Sequence, residues 1–256
     1  MKHPLRTLLL AVCCGLAAAC TQRQERLKLM SYNIRNGIGI DNIQDIGRIA
    51  RVILREAPDL VALQELDSAT LRVDGRYIPG ELGRMTGMHA TFGRAIGFAG
   101  GSTASGYCRA PSRSPYAASR SGARGGPGTA HGGIPGLHGM HHPPSLTPED
   151  RLASLPIIRE ATDTCRKPVL LAGDFNTGNA AAVLAGLGGG FRILSDTTRM
   201  TFPSDNPAVR IDYILGRGLP TSATVAESAV DHTATASDHC PLWVTLVWKR
   251  GKQPGK

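Results

Sequence analysis

Residues 169–176 read Val-Leu-Leu-Ala-Gly-Asp-Phe-Asn, an apolar run that ends abruptly in polar residues. A short, continuous apolar run is typical of a strand buried on both faces, and the glycine and asparagine that follow it favour a turn. The pattern therefore predicts a buried strand over Val169–Ala172, with Asp174 and Asn176 just beyond its end.

Similar apolar runs, some followed by polar residues, recur along the chain. Further strands are predicted over Leu27–Tyr32, Leu60–Leu63, Ile211–Leu215 and Leu242–Trp248. Helices are predicted where apolar residues recur at helical spacing from Ile43 to Leu54, over Glu81–Met85, and from a capping box at Thr147–Asp150 through Leu155 and Ile158. This alternation of strands and helices favours an α/β fold.

Five short polar groups, most of them beside predicted strands, stand out. They are Ser31-Tyr32-Asn33-Ile34-Arg35, Gln64-Glu65, Gly173-Asp174-Phe175-Asn176, Arg210-Ile211-Asp212-Tyr213 and Ser237-Asp238-His239. Taken alone, each is most often a turn or a solvated loop. In this order they resemble the endonuclease/exonuclease/phosphatase superfamily, the fold of DNase I, exonuclease III, neutral sphingomyelinases and inositol polyphosphate 5-phosphatases.

The resemblance covers one domain, residues 27–248, and it implies the architecture. We expect a four-layered α/β sandwich, in which two packed mixed sheets are flanked by helices and the site lies at one edge. It also implies a hydrolase that cleaves phosphoester or phosphodiester bonds by metal-assisted attack of water.

By matching position, the resemblance implies a Mg²⁺ or Mn²⁺ site. Glu65 and Asp238 are the expected metal ligands, with Asn33 beside them. The chemistry agrees, because hard divalent cations prefer oxygen ligands and offset charge on phosphoryl oxygens.

The same matching implies the catalytic roles. Asp174 is the expected base for the attacking water, and His239 is expected to donate to the developing oxyanion while Asp212 holds its tautomer. Asn33 and Asn176 offer uncharged amides to the phosphate oxygens. Two further groups of the family, a Tyr near a Leu-Ser-Arg string and a Thr-His pair, are missing, and His141 and His142 do not replace that His.

The positive charge of the chain does not indicate nucleic-acid binding. Lys and Arg number 29 against 20 Asp and Glu, and ten of the 29 lie in acid-free segments at the two ends and within 109–124. The remaining 19 basic residues face 20 acidic ones, so the folded part is close to neutral. No apolar run beyond the N-terminus is long enough to span a membrane.

Residues 1–20 have the charged start, apolar middle and small-residue end of a signal peptide. Cys20 follows three alanines and resembles a bacterial lipobox, although Leu16 stands one place too far from it. We expect export as a periplasmic or cell-envelope lipoprotein, or otherwise as a secreted protein, and a monomer. Outside this segment, Cys165 and Cys240 are either one disulfide or two buried thiols.

Residues 102–144 depart from the rest of the chain, because they are rich in Ser, Gly, Pro, Arg and His and contain no Asp or Glu. They are either a disordered insertion or a segment read in shifted frames. A one-base shift across Met140–Pro144 can spell Cys-Thr-Thr-His-Leu, and a two-base shift across Ser102–Ala110 can spell His-Gly-Ile-Gly-Val-Leu-Ser-Arg. We therefore expect no strands in 102–144, disrupted middle strands, poor stability and weak activity. Residues 249–256 form a basic tail.

Three functions remain open. In the first, the protein hydrolyses a lipid head group or a small phosphodiester. In the second, it is a secreted endonuclease or exonuclease that cuts DNA or RNA. In the third, the chain is an inactive remnant without enzymatic function. The neutral core gives a nuclease no support, whereas export favours the first substrate class.

Overall fold

The computed structural model describes residues 24–98, 101–110, 129–131, 137–140, 155–156, 158–160 and 162–249. Several predictions fall outside these residues. They are the signal segment 1–20 with Cys20, the capping box Thr147–Asp150, the histidines His141 and His142, and the tail beyond Lys249.

The described residues include eleven β-strands and three α-helices. The strands are β1 (Gln24–Asn33), β2 (Leu60–Ser68), β3 (His89–Phe98), β4 (Gly101–Arg109), β5 (Thr129–His131), β6 (Leu137–Met140), β7 (Val169–Asp174), β8 (Arg192–Ile193), β9 (Asp212–Arg217), β10 (Thr224–Val230) and β11 (Leu242–Lys249). The helices are α1 (Ile46–Glu56), α2 (Ile78–Thr86) and α3 (Ala180–Leu187). Residues 155–156, 158–160 and 162–163 are also helical.

The strands form two mixed sheets. The first has the order β10-β11-β1-β2-β4-β3, with β1 parallel to β2 and antiparallel to β11. The second has the order β5-β6-β7-β9-β8, with β6 parallel and β9 antiparallel to β7. Both sheets are mixed, as expected.

Three apolar clusters show how the layers pack, because alternate residues of a strand point to opposite faces. Met30 and Tyr32 of β1 pack with α1 and α2 on the outer face of the first sheet. Leu29 of β1 meets Leu170 and Ala172 of β7 between the two sheets. Val169 and Leu171 of β7 pack with α3 and with the helical residues 155 and 158 on the outer face of the second sheet. The predicted four-layered sandwich is confirmed.

The predicted elements are present, but their limits differ. Four of the five predicted strands lie within longer ones, and the 81–85 helix is part of α2. The strand predicted over Ile211–Leu215 begins one residue later, since β9 starts at Asp212. The apolar face of α1 was predicted too wide, since Ile43 precedes the helix and is 60% exposed and Leu54 is 52% exposed. Asp45 begins α1 by accepting hydrogen bonds from the backbone N–H groups of Gly47 and Arg48, which excludes Ile43 from the helix.

The expectation that 102–144 forms no strands is wrong for residues 102–109, 129–131 and 137–140. Strand β4 lies inside the first sheet, paired antiparallel with β2 on one side and with β3 on the other. Backbone pairing on both sides holds it, and among its described side chains Tyr107 and Cys108 are buried and point to opposite faces. Tyr107 packs between the sheets and Cys108 packs on the helix side. The sequence of this strand, Gly-Ser-Thr-Ala-Ser-Gly-Tyr-Cys-Arg, does not alternate regularly between apolar and polar residues, so the pattern did not predict it.

Cys108, Cys165 and Cys240 are free thiols, so the disulfide alternative is wrong. Cys240 is buried, but Cys165 is only partly buried. Within the described ranges, no helix is long and apolar enough to cross a membrane.

Candidate active site

Polar residues replace the apolar ones where the space between the two sheets reaches one edge of the sandwich. Asn33 ends β1, Asp174 ends β7, and Asp212 begins β9 directly opposite Asp174. The loop that leads into β11 adds His239. Asn33, Asp174, Asp212 and His239 are all buried, so the inner layer continues into a polar site.

The side chain of Asn33 joins three strands and a loop at this edge. Its Nδ2 lies 3.1 Å from Oε1 of Glu65, 3.2 Å from Oδ2 of Asp174 and 3.4 Å from Nε2 of His239. Its Oδ1 accepts a hydrogen bond from the backbone N–H of Arg35 at 3.1 Å. Asn33 therefore donates to Glu65 in this orientation, whereas the sequence prediction placed it beside Glu65 as a metal ligand.

A β-bulge brings Glu65 to the site. The register between β2 and β4 shifts between Leu63 and Leu66, and Glu65 has a left-handed φ of 50°. In a regular strand Glu65 would point away from the face that carries Gln64, but the extra residue of a bulge redirects the side chain. Such backbone geometry is uncommon outside glycine and is concentrated at functional sites.

The turn after β7 holds the carboxylate of Asp174. The backbone N–H of Asn176 donates to Oδ1 at 2.7 Å, and Nδ2 of Asn176 lies 3.2 Å from Oδ2. Asn176 is also left-handed, with a φ of 51°, which folds it back over Asp174. Burial and the nearby charge of Asp212 raise the pKa of Asp174 to about 7, despite these hydrogen bonds.

His239 lies between two carboxylates. Its Nδ1 is 3.0 Å from Oδ2 of Asp212, and its Nε2 is 3.8 Å from Oδ2 of Asp174. A carboxylate only accepts, so Nδ1 carries a proton and donates to Asp212. Burial alone would lower the pKa of His239, but the charges of Asp212 and Asp174 outweigh it and raise the pKa to about 9.

Asp238 contacts a different set of groups. Its Oδ2 lies 3.5 Å from Nε of Arg35, and its Oδ1 lies 3.3 Å from Oγ of Ser237. The Ser237 hydroxyl donates to the backbone carbonyl of Asn33 at 2.8 Å, which fixes the loop beside β1. Six of the seven predicted site residues are therefore joined by direct contacts, and Asp238 joins them through Arg35 and Ser237.

The donor set of this edge fits a hard divalent cation. Four carboxylates, from Glu65, Asp174, Asp212 and Asp238, lie at this edge together with the cations of Arg35 and His239. Oδ1 of Asp212 is buried and has no hydrogen-bond partner among the described residues. One ligand atom each of Asp174, Asp212 and His239 also lies within 4.8 Å of the others. Excess carboxylate oxygen suits Mg²⁺ or Mn²⁺.

Sequence reasoning missed several residues of the site. Arg35 lies in a recognised motif, but nothing in the sequence indicated its pairing with Asp238. Phe202 was not singled out at all, yet its ring centroid lies 4.8 Å from that of His239. Gln64 is wholly buried below Glu65, where its Oε1 accepts from Ser31. The polar character of Gln64 inside an apolar strand was the available signal.

A four-layered sandwich with carboxylates, amides and an Asp–His pair at one sheet edge defines the class of sandwich-fold phosphoester hydrolases. The family comparison agrees. Residues 30–239 match the model of the Endonuclease/Exonuclease/phosphatase family, and the chain belongs to that family. No curated protein sequence matches the chain.

Solved structures share the fold at low sequence identity. A family protein from Bacteroides thetaiotaomicron is 20% identical, with a TM-score of 0.64, and the match covers 89% of this chain and 100% of that one. The mannosyl-6-phosphatase of Bacteroides thetaiotaomicron VPI-5482 is 18% identical, with a TM-score of 0.59 and coverage of 86% and 99%. D. rerio TDP2 in complex with single strand DNA product is 19% identical, with a TM-score of 0.58 and coverage of 86% and 98%.

Proposed function

We propose that this protein is a metal-dependent phosphoester hydrolase in which Asp174 is the general base. The observation that carries the proposal is the position of the Asn33 amide, within 3.4 Å of Glu65, Asp174 and His239. One neutral side chain thus contacts the proposed metal ligand Glu65, the proposed base Asp174 and the proposed oxyanion donor His239. Such fixed polar groups stabilise charge without reorganising during the reaction.

The proposed reaction is attack of water on phosphorus. Asp174 accepts a proton from the water, whose oxygen forms the new bond to phosphorus while the bond to the leaving oxygen breaks. A pKa of about 7 leaves a substantial fraction of Asp174 ionised at neutral pH. His239, held by Asp212, donates from Nε2 to a phosphoryl oxygen, and Asn33 and Asn176 orient the phosphate.

Glu65 and Asp238 would hold Mg²⁺ or Mn²⁺, with Asn33 beside them. When bound, the cation offsets negative charge on the phosphoryl oxygens and orients the substrate. Both carboxylates are only partly buried, so they are able to face a cation at the open side of the site.

The loops around the site support a substrate that carries an apolar group. Nine large apolar side chains of the described residues are exposed, and six of them lie in three loops at the active edge. These loops follow β1, follow β2 and precede β9. The six are Ile40, Ile43, Leu71, Tyr77, Met200 and Val209. Exposed apolar side chains in the loops at the edge of a site are available to contact an apolar part of a substrate.

The same loops do not favour a polyanion such as DNA. The three loops, 34–45, 69–77 and 194–211, contain five arginines and five aspartates, so their charges balance. The arginines are Arg35, Arg72, Arg76, Arg199 and Arg210, and the aspartates are Asp41, Asp45, Asp74, Asp196 and Asp205. A groove for a nucleic-acid backbone needs excess positive charge. We therefore favour a lipid head group or another small phosphoester on an apolar group over a nucleic acid.

The test is a substrate panel with and without Mg²⁺ or Mn²⁺. It compares bis-(p-nitrophenyl) phosphate, sphingomyelin, phosphoinositide and DNA, with Asp174→Asn as the control for contaminating activity. We expect metal-dependent release from a lipid or small phosphoester that Asp174→Asn abolishes. Turnover of DNA alone would overturn the substrate assignment, and no turnover of any substrate would indicate an inactive remnant.

The cellular setting is proposed from the sequence of residues 1–20. We propose an exported monomer that is attached to a membrane through acylated Cys20, or is secreted if Cys20 is not modified. Mass spectrometry of the mature N-terminus distinguishes the two forms.

A further inference from the structure

A four-residue segment, Thr201–Ser204, contacts four consecutive residues that include Asp238 and His239. The backbone N–H of Ser204 donates to the carbonyl of Asp238 at 2.7 Å, and Oγ of Ser204 donates to the carbonyl of Ser237 at 2.6 Å. At the other end, the backbone N–H of Cys240 donates to the carbonyl of Thr201 at 2.7 Å. The segment thus holds the loop on both sides of His239.

Between these anchors, Phe202 packs on the imidazole itself. The two ring centroids are 4.8 Å apart with an angle of 47° between the planes. The hydrogen bond to Asp212 fixes one edge of the imidazole, but it leaves rotation about that bond free. A ring packed against one face restricts this rotation, because turning the imidazole would break the contact.

The segment is fixed to the same strand that carries Asp212. Oγ1 of Thr201 accepts from the backbone N–H groups of Ile211 and Asp212 at 3.2 and 3.3 Å. Phe202 and Val209 exchange two backbone hydrogen bonds, at 3.0 and 2.9 Å, which closes the loop into a short antiparallel bridge. Thr201 and Ser204 are buried, so water does not compete for these bonds.

We propose that Thr201–Ser204 is a positioning segment, in which Phe202 and Ser204 set the orientation of His239 and the path of the backbone at Asp238. The proposal rests on the hydrolytic function proposed above. Neither residue touches the reacting atoms. Their effect is exerted through the direction of Nε2, and misplacement of a catalytic group by about 1 Å costs on the order of 100-fold in rate.

The test uses Phe202→Leu and Ser204→Ala. Phe202→Tyr is the conservative variant, because it keeps the ring on His239. Ser228→Ala is the matched control for Ser204→Ala, because Oγ of Ser228 also makes one hydrogen bond to the backbone, from the N–H of Asp196 at 2.7 Å, but it lies on β10, outside the Thr201–Ser204 segment.

Two measurements are made on each variant. Steady-state kinetics on the best substrate of the panel should show kcat lowered roughly 10- to 100-fold in Phe202→Leu and Ser204→Ala, with KM changed less than about twofold. Phe202→Tyr and Ser228→Ala should keep the wild-type kcat. Proton NMR should show the Nδ1–H resonance of His239 in the wild type and in both controls, and its broadening in the two positioning variants.

The proposal is overturned if Phe202→Leu and Ser204→Ala keep both the wild-type kcat and the sharp Nδ1–H resonance. It is also overturned if Ser228→Ala loses as much as Ser204→Ala, since the effect would then be general destabilisation. The NMR measurement needs no turnover. If the panel reveals no hydrolysis, the proposed function fails, while the Nδ1–H resonance still decides whether the segment positions His239.

Discussion

Oδ2 of Asp212 lies 3.0 Å from Nδ1 of His239, although 27 positions separate the two residues in the chain. The first begins β9 and the second precedes β11, so the pair forms only when both sheets are in place. Both side chains are buried. The charge of Asp212 therefore acts on His239 with little screening by water.

The first prediction concerns this pair. Asp212→Asn removes the charge that holds His239 protonated and oriented, so kcat should fall by about 10³-fold or more with little change in KM. Kinetics should show nearly the same loss in His239→Ala and in the double variant, because the two residues act as one unit. Fully additive losses would contradict that unit.

The second prediction concerns the metal. If Glu65 is a ligand, Mg²⁺ at 100 times its dissociation constant adds about 2.7 kcal/mol to the stability of the folded state. Scanning calorimetry should then show a rise in Tm of about 5–10 °C, which Glu65→Gln removes. Glu81→Gln, the same change on α2 where Glu81 pairs with Arg76, should keep the rise. An undiminished rise in Glu65→Gln would exclude Glu65 as a ligand.

The third prediction is a pH dependence of stability in the presence of a chelator. The pKa of Asp174 is raised from 3.8 to about 7, so the folded state holds this proton more tightly than the unfolded chain does. Its contribution to the free energy of unfolding is complete below about pH 4 and is lost as the pH rises through 7. Asp174→Asn cannot lose a proton.

Thermal unfolding from pH 4 to pH 8 should therefore show a smaller decrease in Tm for Asp174→Asn than for the wild type. Asp205→Asn, an exposed carboxylate in the 194–211 loop, is the control and should follow the wild-type profile. Parallel profiles for Asp174→Asn and the wild type would show that the proton of Asp174 is not coupled to folding.

The fourth prediction separates backbone strain from crowding at two glycines. Gly37 and Gly75 both have left-handed φ angles, of 78° and 69°, so alanine is strained at either position by about 1–2 kcal/mol. A Cβ at Gly37 would lie 2.3 Å from Cδ1 of the buried Ile46, whereas one at Gly75 meets nothing within 4 Å.

Urea unfolding should therefore show that Gly37→Ala costs about 1 kcal/mol more than Gly75→Ala. Gly37→Ala should also lower activity, because this glycine lies in the turn after Asn33 in which the backbone N–H of Arg35 donates to the amide oxygen of Asn33. Equal losses of stability in the two variants would show that Ile46 moves aside without cost.

The sequence was most informative where structure is local. The run Val169–Ala172 with its polar turn predicted β7, Asp174 and Asn176 together, because a buried strand and its turn lie within eight residues. Glu65 was recognised as a site residue, but its β-bulge depends on pairing with β4, about 40 positions away. No local pattern encodes such a register shift.

Strand β4 itself was missed for a physical reason. Strand prediction relies on side chains that alternate between apolar and polar, whereas β4 is held by backbone hydrogen bonds to β2 and β3 and by Tyr107 and Cys108 alone among its described side chains. The pairing of Arg35 with Asp238 was equally hidden, since it joins residues from opposite ends of the chain.

The direction of β1 determines how the molecule would be presented on a surface. Gln24 pairs with Lys249 at one end of this strand, and Asn33 lies at the other end, about 30 Å away at 3.3 Å per residue. A tether attached before Gln24 would therefore hold the protein at the end of β1 that lies opposite the catalytic edge. A short tether would hold the active edge away from the surface to which the protein is attached, so that phosphoester substrates reach the site from the open side.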